Sequence, residues 1–366
     1  MKICFLAHAV SIHTRRWLYY FRDRGHQVSI ISFTPAKLEP GIELYYLQPP
    51  WSISYEYANW HYLFHLPRVR QIVHHLQPDL LNAHYLSSYG FLGALIKPRG
   101  CPLVSSLHGN DILIFPKESF LHRWVISFAL KRADMITSVA QHMTQVLGNY
   151  MSGDKPVLTL QYGVDTALFC SPATSTPRLP VCLSNRAMVS DSNLETVLQA
   201  ARILEDTNSP VHLDMAGEGE LAALLRQKAT ELHLESRLSF LGHIEHARMA
   251  NKLKTAALFV SMSITDGTPL SLLEAMACGA FPVVSDIPAN REWVTDGVNG
   301  YLVPLYAPEQ LAHRLNEAWH QPELREAAAQ YNWQLIQEKG DYQKNMAIIE
   351  TAFTRLLEHE HERASK

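Results

Sequence analysis

"TDGTPLSLLEAMACGAFPVVSD", residues 265–286, decides how this chain is read. The spacing predicts a strand over 257–263, a loop to Thr268, a helix from Pro269 to Cys278, a stop at Gly279 and a second strand over 281–285. That is one βαβ unit. Threonine as N-cap and proline as first helical residue are both favoured there. The N–H groups of the first turn, at Leu270 and Ser271, then lack intrahelical partners and lie at the positive end of the helix dipole. A phosphate is the usual occupant of such a place. Capping alone also accounts for Thr268 and Pro269.

Two carboxylates flank that helix start, Asp266 in the loop and Glu274 within the helix. Glu274 is surrounded in sequence by Leu272, Leu273, Ala275 and Met276, a face expected to be buried. A carboxylate there is costly unless something hydrogen-bonds it. Sugar hydroxyls meet that need, and so does an ion pair with a neighbour such as Arg291.

Working outward, short apolar runs alternate with helix-length segments along the whole chain. Strands are expected at "KICFLAH", "QVSIISF", "DLLNAH", "PLVSSLHG", "DMITSV" and "VLTLQY", with a helix from Thr14 to Arg24 closed by Gly25. The Pro-, Ser- and Thr-rich segment 170–180 has the composition of a linker. A second series follows: "VCLSNRA", "VHLDMAG", "RLSFLGH", "ALFVSMS", "FPVVSD" and "GYLVPL". Two doubly wound α/β domains are expected, residues 1–170 and 171–340. Ligands of such sheets bind beyond the carboxyl ends of the strands, here in a cleft between the domains.

Composition excludes several classes. The 366 residues exceed one ordinary core, and a formal net charge of -3 offers no nucleic-acid footprint. Five scattered cysteines form no zinc or disulfide pattern. The apolar N-terminus gives way quickly to "HTRRW" and no apolar run spans a bilayer, so a cytoplasmic protein is expected. Two segments fit peripheral contact with the inner face of the membrane: the aromatic stretch 45–67, and a helix over 117–132 with apolar and basic faces. Core packing explains either as well. The first loop, "AHAVSIHTRR", offers Ser11, His13, Thr14 and Arg15 for acceptor binding, or a Thr14 cap followed by solvated arginines.

The opening stretch resembles the signature of the GT-B retaining glycosyltransferases of family 4. Asp266 stands where the family has glutamate, and one extra residue separates Gly279 from Pro282. Five further segments resemble that family in order: "RGHQVSII" (24–31), "LHGND" (107–111), "YGVDTALF" (162–169), "MAGEGEL" (215–221) and "VTDGVNGYLV" (294–303).

The resemblance implies a GT-B fold, with a final helix, about 341–366, crossing back to the first domain. It implies transfer of a sugar from a nucleoside-diphosphate sugar to a hydroxyl acceptor: a glycan, a lipid-linked molecule or a small molecule, as in cell-envelope polysaccharide or glycolipid biosynthesis. Arg186 matches the family's phosphate-binding arginine, whereas the lysine position falls at Asp191 or Ser192. Glu274 matches the residue that holds the ribose, Asp266 the one that touches the transferred sugar, and His108 the histidine placed near that sugar. Gly267, Thr268, Pro269, Leu270 and Ser271 form the phosphate loop. Gly217, Gly219, Gly242, His243 and Ile244 lie near the base. No cofactor beyond the donor substrate is implied, and no Asp-x-Asp pair offers a metal clamp. A nucleotide-sugar epimerase or a non-catalytic nucleotide-sugar-binding partner would share these contacts. A dehydrogenase fits less well, because no strand leads into Gly-x-Gly-x-x-Gly.

Overall fold

The computed structural model describes residues 1–49, 60–151, 153–170 and 178–364. It divides into two compact units, residues 1–162 with 344–366, and residues 163–343. The centre of the aromatic stretch, 50–59, and most of the linker, 171–177, lie outside the described residues.

Unit 1 holds a seven-stranded sheet of β1 (Lys2–Leu6), β2 (Gln27–Ser32), β3 (Ile42–Tyr46), β4 (Leu80–His84), β5 (Leu103–Ser106), β6 (Met135–Ser138) and β7 (Val157–Thr159). The order is β3-β2-β1-β4-β5-β6-β7, and every pairing is parallel. The chain runs outward from β1 to one edge and then returns to build the other, which is the doubly wound pattern. The sequence reading missed β3. It is an edge strand with no fully buried residue, and Glu43 interrupts its apolar residues, so it lacks the continuous apolar run that marks a central parallel strand.

Unit 2 holds β8 (Leu179–Ser184), β9 (His212–Ala216), β10 (Leu238–Gly242), β11 (Ala256–Ser261), β12 (Phe281–Ser285) and β13 (Tyr301–Val303). The order is β10-β9-β8-β11-β12-β13, again parallel throughout. β11 and β12 are buried along their whole length, as expected of strands covered on both faces. Both domains are therefore Rossmann-like.

Three helices differ in their bounds from the sequence reading. The first helix runs from Ile12 to Asp23, with Ser11 at its N-cap, so Thr14 lies inside the first turn and is no cap. Gly25 follows with φ +81°, a left-handed stop that suits glycine. The 117–132 segment is broken at Ser119, whose hydroxyl accepts from the His122 N–H and caps a separate helix, Phe120–Arg132. The helix of the opening stretch is Leu270–Ala277, one residue shorter at each end than expected, with Pro269 at the N-cap.

The last helix, Tyr342–Ala364, belongs to unit 1 over nearly its whole length. Met346, Ile349 and Phe353 form a buried stripe at helical spacing. Phe353 stacks on Phe21 at 5.5 Å between centroids and lies 6.1 Å from Trp17. Beside them, Glu350 accepts from the Tyr20 hydroxyl at 2.9 Å and pairs with Arg24 and His26. Within unit 2, Val164 and Asp341 pair as a parallel bridge. Gly163, at φ +74°, makes room for this: a Cβ there would lie 2.7 Å from the Tyr342 nitrogen.

Candidate active site

In unit 2 the chemistry-bearing residues gather beyond the carboxyl ends of β8 and β11. Arg186 follows β8 by two residues, and Asp266 stands in the loop between β11 and the helix Leu270–Ala277. The Arg186 Nη1 lies 3.0 Å from Asp266 Oδ2 and donates to the Ser271 hydroxyl at 3.2 Å. Both charged side chains are largely withdrawn from solvent, at 20% and 15% exposed. The pair is close but not aligned as a hydrogen bond, and the buried Arg186 Nε–H has no acceptor among the described residues. A buried guanidinium donor left unspent is costly and fits an anion.

The helix start beside it differs in detail from the expectation. Leu270 N–H donates to the Thr268 carbonyl at 2.9 Å, so it is not a free donor. Leu273 N–H makes the first full helical turn, to Pro269 O at 3.1 Å. The donors ahead of that bond are Ser271 and Leu272, and they sit at the positive helix end.

Glu274 is 13% exposed, and the alternative ion pair with Arg291 is not made. Arg291 pairs instead with Asp286, at 2.5 Å. Glu274 Oε2 accepts from the Asn185 amide at 3.1 Å, and Oε1 lies 3.6 Å from His246 Nε2. Asn185 and His246 were missed in the sequence. Asn185 is merely the neighbour of Arg186, and His246 opens a helix 28 residues before Glu274 with no motif of its own.

The glycines of "MAGEGEL" approach the same strand end. A Cβ on Gly217 would lie 2.3 Å from the Arg186 carbonyl oxygen, and one on Gly219 would lie 2.4 Å from that of Met188. Their missing side chains let the 217–219 loop lie against the backbone that carries Arg186. Gly217 N–H also donates to Gly242 O at 2.8 Å, which brings the end of β10 alongside. Beyond it His243 is exposed and Ile244 half-buried, while Gly267 is buried in the Asp266 loop.

In unit 1, His108 follows β5 in a loop held by one carboxylate. Asp111 Oδ1 accepts from the N–H groups of His108 at 3.2 Å and Gly109 at 2.9 Å, and Oδ2 accepts from Leu86 N–H at 3.1 Å. Burial raises the Asp111 carboxyl above its ordinary range, and these backbone donors pull it back. The His108 ring stacks on Tyr85 at 4.1 Å, and its Nδ1 lies 2.9 Å from the Tyr162 hydroxyl. Tyr85 has φ +65°, a left-handed backbone that costs a tyrosine about 1–3 kcal/mol. It brings the ring over His108.

His13 comes into this group, stacked on Tyr162 at 5.1 Å and 6.2 Å from His108. His84 completes it, 4.7 Å from His108, with Nε2 2.7 Å from Asn82 Oδ1. His8 lies at the edge of the group, 5.7 Å from Tyr85, and burial lowers all four rings: His8 and His13 to about 4, His84 to about 3, and His108 well below the usual value. The cluster is neutral at physiological pH, so His108 is a hydrogen-bonding group rather than a cation. The other first-loop candidates have partners or burial of their own. Thr14 is buried, Arg15 Nε donates to Ala9 O at 3.0 Å, and Ser11 N–H donates to His8 O at 3.1 Å.

Comparison with known proteins accords with this architecture. The family described as glycosyl transferases group 1 matches residues 175–334, and that described as glycosyl transferase 4-like matches residues 2–140. N-acetyl-alpha-D-glucosaminyl L-malate synthase of Bacillus anthracis is 22% identical over 353 residues, 92% of this chain and 91% of the relative. Sucrose-phosphate synthase from Thermosynechococcus elongatus superposes with a TM-score of 0.84 at 16% identity, over 98% of this chain and 100% of that one. Anabaena HepE in complex with UDP superposes at 0.78 and 19% identity, over 97% and 100%. With both halves matched in order and both sheets parallel and doubly wound, this chain belongs to the glycosyltransferases of GT-B fold, in the group resembling family 4.

Proposed function

We propose that the enzyme transfers a hexose with retention of anomeric configuration, from a nucleoside-diphosphate sugar to a hydroxyl on a glycan, lipid-linked or small-molecule acceptor, and that it needs no metal. The observation that carries this reading is Arg186, fixed by Asp266 and Ser271 with its Nε–H unspent beside the start of the helix Leu270–Ala277. Fixed donors aimed at a leaving diphosphate supply the charge stabilisation that a metal gives elsewhere. Glu274, steadied by Asn185, takes the ribose hydroxyls, and Asp266 offers its remaining oxygen to the sugar. Gly217, Gly219 and Gly242 to Ile244 border the base, and His108 with His13 serves the sugar and acceptor side. The cysteines form no disulfide, which supports a reducing, cytoplasmic setting.

A panel of nucleotide sugars, assayed for diphosphate release with and without acceptor and with and without chelator, tests the reading. Acceptor-dependent release unaffected by chelator, and a product of the donor's anomeric configuration by NMR, are expected. An inverted product, or release abolished by chelator and restored by a divalent cation, contradicts it.

A further inference from the structure

The helix Phe120–Arg132 of unit 1 is apolar on both of its faces. Val125, Ile126, Ala129 and Leu130 are buried against the unit, as any covering helix requires. The opposite face carries Phe120, Leu121 and Trp124, which are 77%, 53% and 50% exposed. Trp124 stacks on Phe128 at 5.7 Å, and both rings contact Phe91, so the exposed indole rests on a platform of aromatic rings. A cluster of this kind left in water is the exception among monomers and marks a surface that meets something.

The charges around it say what it meets. Glu118 and Asp134 flank the helix, and Asp134 is paired with Lys97, but no acidic residue occurs from Ser119 to Ala133, whereas Arg123, Lys131 and Arg132 lie on the helix and are exposed, and the exposed Lys117 precedes Glu118. Lys131 lies two helical turns from Trp124, on the same side. Aromatic and leucine side chains in the centre with cations at the margins are complementary to an interface of acyl chains beneath anionic headgroups. Among the described residues no helix is long and apolar enough to cross a membrane, so this contact would lie on the surface.

We propose that this face docks the protein on a bilayer rich in anionic lipid, with Phe120, Leu121 and Trp124 inserted at the level of the headgroups and Arg123, Lys131 and Lys117 against the lipid phosphates. The inference is independent of the donor and of the reaction.

Sedimentation of the full chain with vesicles tests it without any turnover. Binding to phosphatidylcholine vesicles containing phosphatidylglycerol, weaker binding to phosphatidylcholine alone, and release by salt are expected. The triple variant Phe120→Ser, Leu121→Ser, Trp124→Ser should lose binding to both by roughly tenfold or more. Arg123→Gln with Lys131→Gln should weaken only the anionic vesicles, by about fivefold for each charge removed. These two replace exposed charges and keep the test valid should the triple variant melt early. Absence of binding to anionic vesicles, or equal binding by the parent and the charge variant, overturns the proposal. So does a concentration-dependent dimer in sedimentation velocity that the triple variant abolishes, since a second copy would then cover this face.

Discussion

Arg186 and Asp266 approach to 3.0 Å beyond the ends of β8 and β11, and the Ser271 hydroxyl holds the same guanidinium from the helix side. The aspartate thus has a structural task besides any contact with a sugar: it orients the cation. Asp266→Asn keeps the size and removes the charge, so the guanidinium loses its partner. Turnover should fall by about tenfold, because the guanidinium is no longer held in place by its ion pair. Asp266→Glu restores the family pattern and should keep most of the rate while changing the preferred sugar in a donor panel. An unchanged rate for Asp266→Asn would separate the pair from the reaction.

Glu274→Gln preserves volume and can still receive the Asn185 amide, so the fold should survive with an unchanged melting temperature. The lost charge weakens the hold on ligand hydroxyls, and kcat/KM should drop by about tenfold or more. Steady-state kinetics at several donor concentrations decide the matter. Parental turnover would make Glu274 a structural residue alone.

The histidine cluster makes unit 1 sensitive to acid. A histidine in the unfolded chain titrates near 6.5, whereas burial holds His13 at about 4 and His84 at about 3. Between those values the unfolded chain binds protons that the folded chain refuses, so stability is full above 6.5 and falls as pH drops. At about pH 5 each such ring costs ~2 kcal/mol relative to neutrality. Urea midpoints measured from neutral pH downward should fall accordingly, and His84→Gln should flatten the slope. An identical slope in that variant would contradict the assignment.

Phe353→Ala removes a ring stacked on Phe21 and packed near Trp17. A loss of about 3–5 kcal/mol is expected, expressed in unit 1 although the residue lies near the end of the chain. Hydrogen exchange should show β1 and the helix Ile12–Asp23 opening more readily. Unchanged protection there would mean that the last helix does not support this sheet.

Both sheets were legible in the sequence because buried parallel strands are continuous apolar runs, and all six strands of unit 2 fall where "VCLSNRA" to "GYLVPL" places them. β3 was not legible, since an exposed edge strand has no such run. Arg186, Asp266, Ser271 and Glu274 were legible as site candidates through motif spacing, and the structure brings them to one strand end. Their partners were not. Asn185 and His246 reach Glu274, and Tyr85, Tyr162 and His84 reach His108, through contacts between distant segments that no local pattern encodes. The helix start moved by one residue because Leu270 N–H closes a turn on Thr268, a competition that residue preferences at a cap do not reveal.

The central claim is that Arg186 receives the diphosphate, and calorimetric titration of a nucleoside diphosphate and its nucleoside into the parent and into Arg186→Ala tests it most directly. UDP with uridine, GDP with guanosine and ADP with adenosine cover the bases. For the pair that binds, the variant should lose ~10- to 100-fold in affinity for the diphosphate, with the nucleoside affected little, because only the charge-assisted bond is gone. Equal loss for both ligands, or no diphosphate bound by the parent, would contradict it.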